Sequence, residues 1–175
     1  TISSPATSTD RTLTLPDEAG TVLTSVSSIA SANLTGSVPS SALPAGSVLQ
    51  VVSYYDANLS ASTSSSSFVA SSATLSITPS SATSKVLGFF SLTQVNTASA
   101  NTQVQIALYR DGSSLGGIGN FQSTGQLLTS MSTSRLDTPN TTSAVVYTIY
   151  FRLAQGSGPA YLQDGGSIVL MEIAG

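Results

Sequence analysis

Alternation of apolar and polar residues is the feature that most restricts what this chain can fold into. From residue 144 to residue 153 every second side chain is large and apolar, namely Val145, Tyr147, Ile149, Phe151 and Leu153. A period of two places these side chains on one face of a β-strand. Ala73–Thr78 and Gln103–Arg110 alternate in the same way. Because no helical period of useful length follows residue 47, the sequence predicts an all-β fold.

The predicted strands fill the chain from residue 47 to the end. The main ones are Val48–Tyr55, Ala73–Thr78, Val86–Thr93, Gln103–Arg110, Ala144–Leu153 and Ile168–Ile173, with shorter candidates at Phe68–Ala70, Ser113–Ile118 and Leu127–Met131. Val86–Thr93 is too apolar for a strand with one buried face, and both faces of Ile168–Ile173 are largely apolar. Eight or nine short strands in succession are typical of an antiparallel β-sandwich, here of jelly-roll type and spanning residues 47–175.

The connections between these strands carry turn residues. Arg110–Gly112 and Gln163–Gly166 contain the Asp-Gly pairs that favour turns. Gly112–Asn120 holds several glycines without a following helix or a lysine, which indicates a turn or bulge and not a phosphate-binding loop. The serine-rich stretch Ser60–Ser67 is predicted to be a loop between the first two strands of the sandwich.

Residues 1–46 have a different texture and are predicted to form a thin shaft or anchor segment. Arg11–Leu15 and Thr21–Thr24 flank a five-residue loop and predict a hairpin, while Ser25–Ala32 has the spacing of two helical turns. Such a segment cannot bury a core alone, so we expect other chains or a neighbouring domain to cover its isolated apolar residues. The expected assembly residues are Leu13, Leu15, Leu23, Val26, Ile29 and Leu34.

Composition excludes most catalytic chemistry. Serine and threonine make up 57 of the 175 residues, and histidine, cysteine and tryptophan are absent. Without histidine there is no Ser-His-Asp relay and no imidazole base, and without histidine and cysteine the usual ligands of zinc, copper, haem and iron–sulfur clusters are missing. We therefore predict a non-enzymatic protein with no cofactor and no bound metal.

Charge and hydropathy exclude two further classes of partner. Charged residues form 7% of the chain, the formal net charge is −3, and the five basic residues are scattered, so no nucleic-acid partner is expected. No apolar run approaches the roughly 20 residues that span a bilayer, so no membrane insertion is expected. The chain has no signal-peptide pattern and begins with Thr1 and not Met, which is compatible with a processed start or a longer parent chain.

The eight carboxylates offer weak support for hydrolysis, because a glycosidase needs two of them facing each other across a cleft. Asp111 and Asp164 stand beside glycines, as turn residues do. Asp137 is expected to pair with Arg135 or to cap a turn. Glu172, next to Met171 in the last strand, is expected to face a neighbouring chain or to pair with an arginine.

Three exposed loops are candidates for receptor binding. They contain Phe121 within Gly119–Gly125, Arg135 and Asp137 within Ser132–Ser143, and Tyr161 with Asp164. Loops that combine aromatic and polar residues are used to recognise carbohydrates and proteins. The alternative is that Phe121 and Tyr161 pack beneath their loops.

Several short strings resemble tail-fibre and related virion appendage proteins of tailed bacteriophages, particularly marine and cyanobacterial ones. In the N-terminal part they are LTLPDEAGTVLT at 13–24, SIASANLTGS at 28–37 and LPAGSVLQVV at 43–52. In the sandwich they are ITPSSATSKVL at 77–87, ALYRDG at 107–112 and IVLMEI at 168–173. The resemblance implies a homotrimer on a virion. The three N-terminal segments would be wound together and bound to other virion proteins, and the three β-sandwich knobs would pack at the tip.

Two functions follow from this resemblance, and two others compete with them. The first is a fibre tip that attaches to host polysaccharide or an outer-membrane protein, with several weak sites acting together. The second is a capsid decoration, cement or head-fibre protein in which residues 1–46 anchor the chain to the shell. A polysaccharide-degrading spike, acting through Asp111 or Asp137, and a bacterial surface adhesin are the remaining alternatives.

Overall fold

The computed structural model describes residues 38–39, 42–97 and 99–175 of the chain. The hairpin and helical turns expected before residue 38 lie outside these residues. So do all six expected assembly residues, Leu13, Leu15, Leu23, Val26, Ile29 and Leu34. The expectations for them therefore stay predictions.

Nine antiparallel strands make up the described part of the chain. They are β1 (Val48–Asp56), β2 (Ala61–Thr63), β3 (Val69–Ile77), β4 (Lys85–Thr97), β5 (Thr102–Arg110), β6 (Ser113–Ser123), β7 (Leu127–Asp137), β8 (Val145–Gln155) and β9 (Ala160–Ile173). The nine predicted strands correspond to eight of these, because Phe68–Ala70 and Ala73–Thr78 fall in the single strand β3, and β2 was not predicted. The described residues contain no helix long and apolar enough to cross a membrane.

The strands form two sheets that face each other across one core. The first sheet has the order β1-β9-β4-β7, with the short β2 also paired to β9, and the second has the order β3-β8-β5-β6. Apart from β2, the chain thus places four strands in each sheet, and it changes sheet after every strand except between β5 and β6, which form a hairpin in the second sheet. The predicted jelly-roll sandwich is confirmed.

Period-two alternation determines which side chains form the core. The inward residues of β8 are Val145, Tyr147, Ile149, Phe151 and Leu153, and all five are buried as predicted. Val104, Ile106 and Leu108 of β5 meet them from the adjacent strand. Val86, Phe90 and Leu92 of β4 and Ile168 and Leu170 of β9 cover this layer from the first sheet.

Two of the three predicted connections differ from the structure, and the third, the glycine-rich region Gly112–Asn120, contains the predicted turn and bulge. Residues 163–166 do not form a turn, because β9 continues through them with Asp164 and Gly165 at positive φ, and its pairing with β4 shifts register there. This is a bulge within a strand. The stretch Ser60–Ser67 is not loop throughout, since it contains β2. The glycine-rich region after Arg110 is a tight turn at Asp111–Gly112, followed by strand β6 with a bulge near Gly116, whose φ is 111°.

The chain enters and leaves the sandwich at one end. Val48 at the start of β1 pairs with Ile173 at the end of β9. Two backbone hydrogen bonds extend this pairing, since the Gly46 amide donates to the Ala174 carbonyl at 2.9 Å and the Ala174 amide donates to the Ser47 carbonyl at 2.8 Å. The first strand is thus an edge strand fixed along its length to the last.

Candidate functional site

The outer surface of the first sheet carries rows of apolar side chains that cross all four long strands. In one row Val51 pairs with Met171, Met171 with Leu87, and Leu87 with Leu136. In the next row Val169 and Phe89 stand side by side between two serines. We call these six side chains the apolar face: Val51, Leu87, Phe89, Leu136, Val169 and Met171.

Local sequence explains why this surface is apolar. In β4 the inward residues Val86 and Phe90 alternate with the outward residues Leu87 and Phe89. A strand of a sandwich normally alternates apolar and polar side chains, so apolar residues on both faces leave one set without a partner inside the domain. The excess of apolar residues noted in the sequence of β4 and β9 is therefore the outward-facing set.

The apolar face is accessible and free of charge. Val51 is 53% exposed, Phe89 44% and Leu136 54%. Among the described residues the only charged one near these rows is Lys85, at the end of β4 where it pairs with Ile173. The two rows span four strands spaced about 4.8 Å apart and about four residues of strand length, which gives an area on the order of 250 Å². Contiguous exposed apolar patches of a few hundred Å² are often functional.

The residues predicted for receptor binding lie in strands and do not form one site. Phe121 is in β6, half-buried against the core, which agrees with the alternative of simple packing. Arg135 and Asp137 are in β7, so the expected loop Ser132–Ser143 is wrong in its first half. Strand pairing with β4 extends β7 to Asp137 even though its sequence is rich in hydroxyl groups. No role in receptor binding follows from these positions.

Tyr161 and Asp164 lie in β9 and also not on a loop. Tyr161 pairs with Asn96 of β4, which pairs with Leu128 of β7, and Leu128 is 65% exposed. Tyr161 therefore belongs to the outer surface of the first sheet, beyond the bulge in β9. Asp164 stands in that bulge at φ 59° and accepts a hydrogen bond from Gln94 at 2.7 Å.

Asp137 pairs with Arg110 and not with Arg135, which corrects the sequence-based expectation. Its Oδ2 atom accepts hydrogen bonds from the Arg110 Nη1 atom at 2.6 Å and from the Tyr147 hydroxyl at 2.7 Å. Burial lowers the pKa of Arg110, but the hydrogen bond and charge of Asp137 outweigh this effect and raise it overall. Burial and Asp137 together raise the pKa of Tyr147. This network ties β7 of one sheet to β5 and β8 of the other, so its role is structural.

Glu172 neither faces a neighbouring chain nor pairs with an arginine. It is fully buried, and its Oε1 atom accepts hydrogen bonds from the Ser80 amide and hydroxyl, both at 2.7 Å. Its Oε2 atom accepts one from the Gln50 side-chain amide at 2.6 Å, and that amide also donates to the Thr78 carbonyl. The buried Ser84 hydroxyl faces the same carboxylate without reaching good hydrogen-bond geometry. Burial raises the pKa of Glu172. The polar groups around the carboxylate lower it by more, so the pKa of Glu172 lies below its usual value.

All five carboxylates in the described ranges are engaged by protein groups. Besides Asp137, Asp164 and Glu172, Asp56 accepts from the Asn58 amide at 2.8 Å and Asp111 accepts from the Val146 amide at 2.8 Å. In the same ranges no three carboxylates cluster in a way that could hold a metal ion. Each of these carboxylates thus has a structural partner within the fold.

An aromatic cluster on the outer surface of the second sheet was missed by the sequence-based reasoning. Tyr109 of β5 and Tyr150 of β8 are stacked with ring centroids 3.9 Å apart, and Phe68 lies 6.1 Å from Tyr109. The Arg152 guanidinium lies over the Phe68 ring at 4.7 Å from its centroid. The outward position of Tyr150 and Arg152 is visible in the alternation of β8, but their neighbours come from distant parts of the chain.

Comparisons with known proteins give a likeness of fold at low sequence identity. No family model matches the chain, and no curated protein matches it. A structure of the infectious bursal disease virus Gx strain aligns with 81% of this chain and 42% of its own, at 14% identity and a TM-score of 0.39. The VP2 subviral particle of the same virus aligns with 74% of this chain and 34% of its own, at 15% identity and 0.38.

A bacterial protein shares the likeness. Dimeric latent PorU from Porphyromonas gingivalis aligns with 75% of this chain and 14% of its own, at 12% identity and a TM-score of 0.38. This chain therefore matches 42% of the length of the first viral structure, 34% of the second and 14% of PorU. All three TM-scores lie below 0.5.

Proposed function

We propose that this chain is a structural subunit of a virion appendage, a homotrimeric fibre tip that attaches to the host surface. The observation that carries the proposal is the apolar face, together with the resemblance of the sequence to phage tail-fibre proteins. A jelly roll serves both capsid and lectin domains, so the fold suits a virion protein without deciding its role.

The apolar face is best suited to a second copy of the same chain. A surface with no charge can meet its own copies without bringing like charges together, whereas a charged patch would repel them. A standard interface buries about 800 Å² per partner, with an apolar centre and a polar rim. The roughly 250 Å² of the apolar face supplies part of the apolar centre, and the adjacent Ser53, Ser91, Ser134 and Ser167 supply a polar border.

Placing an arginine on the apolar face tests the assembly part of the proposal. Phe89 and Val146 are both outward residues of central strands, 44% and 40% exposed, but they lie on opposite sheets. We expect the full chain to sediment as a trimer at micromolar concentration, Phe89→Arg to shift it to monomer, and Val146→Arg to leave it trimeric. A wild-type monomer, or equal behaviour of the two variants, would contradict this assignment.

The position on the virion is tested by immunogold labelling of intact particles with antibody to residues 47–175. We expect label at the tail tips. Label scattered over the capsid would instead favour the decoration protein, with residues 1–46 as its anchor. Particles without label would contradict both viral functions.

A further inference from the structure

The outer surface of the second sheet contains a groove beside the aromatic cluster. It encloses about 530 Å³, within the range of small-molecule sites, and lies over β5 and β6. The Phe68 ring forms one wall, the backbone of Gly117 and Gly119 forms part of the lining, and the side chains of Gln105 and Asn120 flank it. The groove is therefore part aromatic, part backbone and part amide.

Glycine makes the groove accessible. Gly117 faces outward opposite Ala107, and a Cβ atom at Gly117 would meet nothing closer than the Ile106 carbonyl oxygen at 3.8 Å. The space above the strand is thus open because the side chain is missing, and not because neighbouring groups are held apart.

Arg152 lies next to the groove, since it contacts two of the lining residues, Gln105 and Phe68. Its Nε and Nη2 atoms donate to the Gln105 Oε1 atom at 2.9 and 2.6 Å, and its Nη1 atom donates to the Ser66 carbonyl at 3.1 Å. Since Arg152 occupies the oxygen of Gln105, the amide NH₂ group of Gln105 is left to donate elsewhere. A guanidinium has five N–H donors, so two of those on Arg152 remain available after these three bonds.

Arg152 carries a positive charge that has no ion-pair partner among the described residues. The four strands of the second sheet contain two charged residues, Arg110 and Arg152. Arg110 is neutralised by Asp137, whereas Arg152 makes no ion pair among the described residues. A cation stacked on an aromatic ring, with donors to spare, is a suitable partner for a carboxylate.

From these contacts we infer that the groove binds an acidic saccharide, a sugar ring that carries a carboxylate. The apolar C–H face of the sugar packs against the Phe68 ring, whose π-face attracts such hydrogens. Gln105 and Asn120 hydrogen-bond its hydroxyl groups, and its carboxylate lies toward Arg152. The inference rests on the proposed function for its biological meaning, since it names the class of host-surface ligand that a fibre tip would bind.

The test is binding to an array of glycans that includes uronic-acid, sialylated and neutral oligosaccharides. Gly117→Leu fills the groove without removing any functional group, and Gly125→Leu is its matched control, because Gly125 is exposed, lies outside the groove and has no atom within 4 Å of an added Cβ. We expect the wild type and Gly125→Leu to bind acidic glycans and to weaken as salt is raised, and Gly117→Leu to bind at least ten-fold more weakly.

Three results would overturn the inference: no binding to any acidic glycan, equal binding to neutral glycans, or full binding by Gly117→Leu. Because some variants lose binding by misfolding, the sedimentation and thermal unfolding of Gly117→Leu are measured alongside and are expected to match the wild type. A failure here leaves the trimer formed by the apolar face intact, whereas a failure of the proposed assembly appears in Phe89→Arg and not in Gly117→Leu. The two failures are thus distinguishable.

Discussion

The buried carboxylate of Glu172 gives the most demanding prediction, through the variant Glu172→Gln. An amide has nearly the same shape but replaces one acceptor oxygen by an NH₂ group. If that group faces Ser80, it opposes the Ser80 amide, which can only donate. If it faces Gln50, it opposes an NH₂ group that is already held by the Thr78 carbonyl. Either orientation places two N–H donors opposite each other, at the Ser80 amide or at the Gln50 side chain.

The magnitude follows from these contacts. Leaving a buried donor unpaired costs roughly 1–3 kcal/mol, and a lost hydrogen bond to a charged group adds a contribution of similar size. We expect Glu172→Gln to lower the free energy of unfolding by about 3 kcal/mol at pH 7. For a domain of this size that corresponds to a fall of roughly 10 °C in Tm. Asp164→Asn is the control, because Asp164 is exposed and asparagine tolerates its positive φ, and it should change stability by less than about 0.5 kcal/mol.

The pH dependence gives the result that would refute this reasoning. The pKa of Glu172 is lowered in the folded chain, so its stabilisation is fully present above the unfolded-state value of about 4.3 and is lost as pH falls through the folded-state pKa. The amide variant lacks this contribution. Urea unfolding at equal protein concentration, from pH 7 to pH 2.5, should therefore show the difference between wild type and Glu172→Gln narrowing below about pH 4. A difference below about 1 kcal/mol at pH 7, or one that stays constant into acid, would refute it.

Two further predictions concern packing and the link between the sheets. Tyr147→Phe removes the hydroxyl that donates to Asp137 at 2.7 Å, while Arg110 remains bonded, so we expect a loss of about 1–2 kcal/mol in urea unfolding; no loss would mean that the network does not tie the sheets. Gly88→Ala brings a Cβ atom to 2.5 Å from the buried Phe90 ring and should lower stability by about 1–3 kcal/mol, measured by thermal unfolding. Gly125→Ala, with open space around it, should be neutral, and equal effects of the two alanines would contradict the packing argument.

Alternation alone was sufficient to predict the strands that form the core. In β8 and β5 large apolar residues recur at every second position, and most residues between them are polar, aromatic or small, so the buried sets were predicted correctly. The second half of β7 was missed because Ser132, Thr133 and Ser134 carry no apolar signal. That segment is a strand since β4 pairs with it, and such a partner is fixed by tertiary structure.

The surfaces were less predictable than the core. Apolar residues on both faces of β4 and β9 are visible in the sequence and indicate a covered outer surface, although not which strands share it. The groove could not be found in this way, because Phe68, Gln105 and Arg152 become neighbours only through the strand order β3-β8-β5. The ion pair likewise joins the two sheets, because Asp137 lies in β7 and Arg110 in β5. Arg135 is closer to Asp137 in sequence, but Asp137 pairs with Arg110.

The pairing of the first and last strands has a mechanical consequence. A tension that reaches the sandwich through Ser47, with the far end of the domain held, pulls β1 along its own axis. The bonds from Val48–Ile173 to Asp56–Gly166 then resist sliding together and share the load. If the same tension acted between Ser47 and Gly175, at the same end, those hydrogen bonds would break one after another, starting at that end. The sandwich is therefore expected to resist a force along its length better than a force that pulls Ser47 away from Gly175.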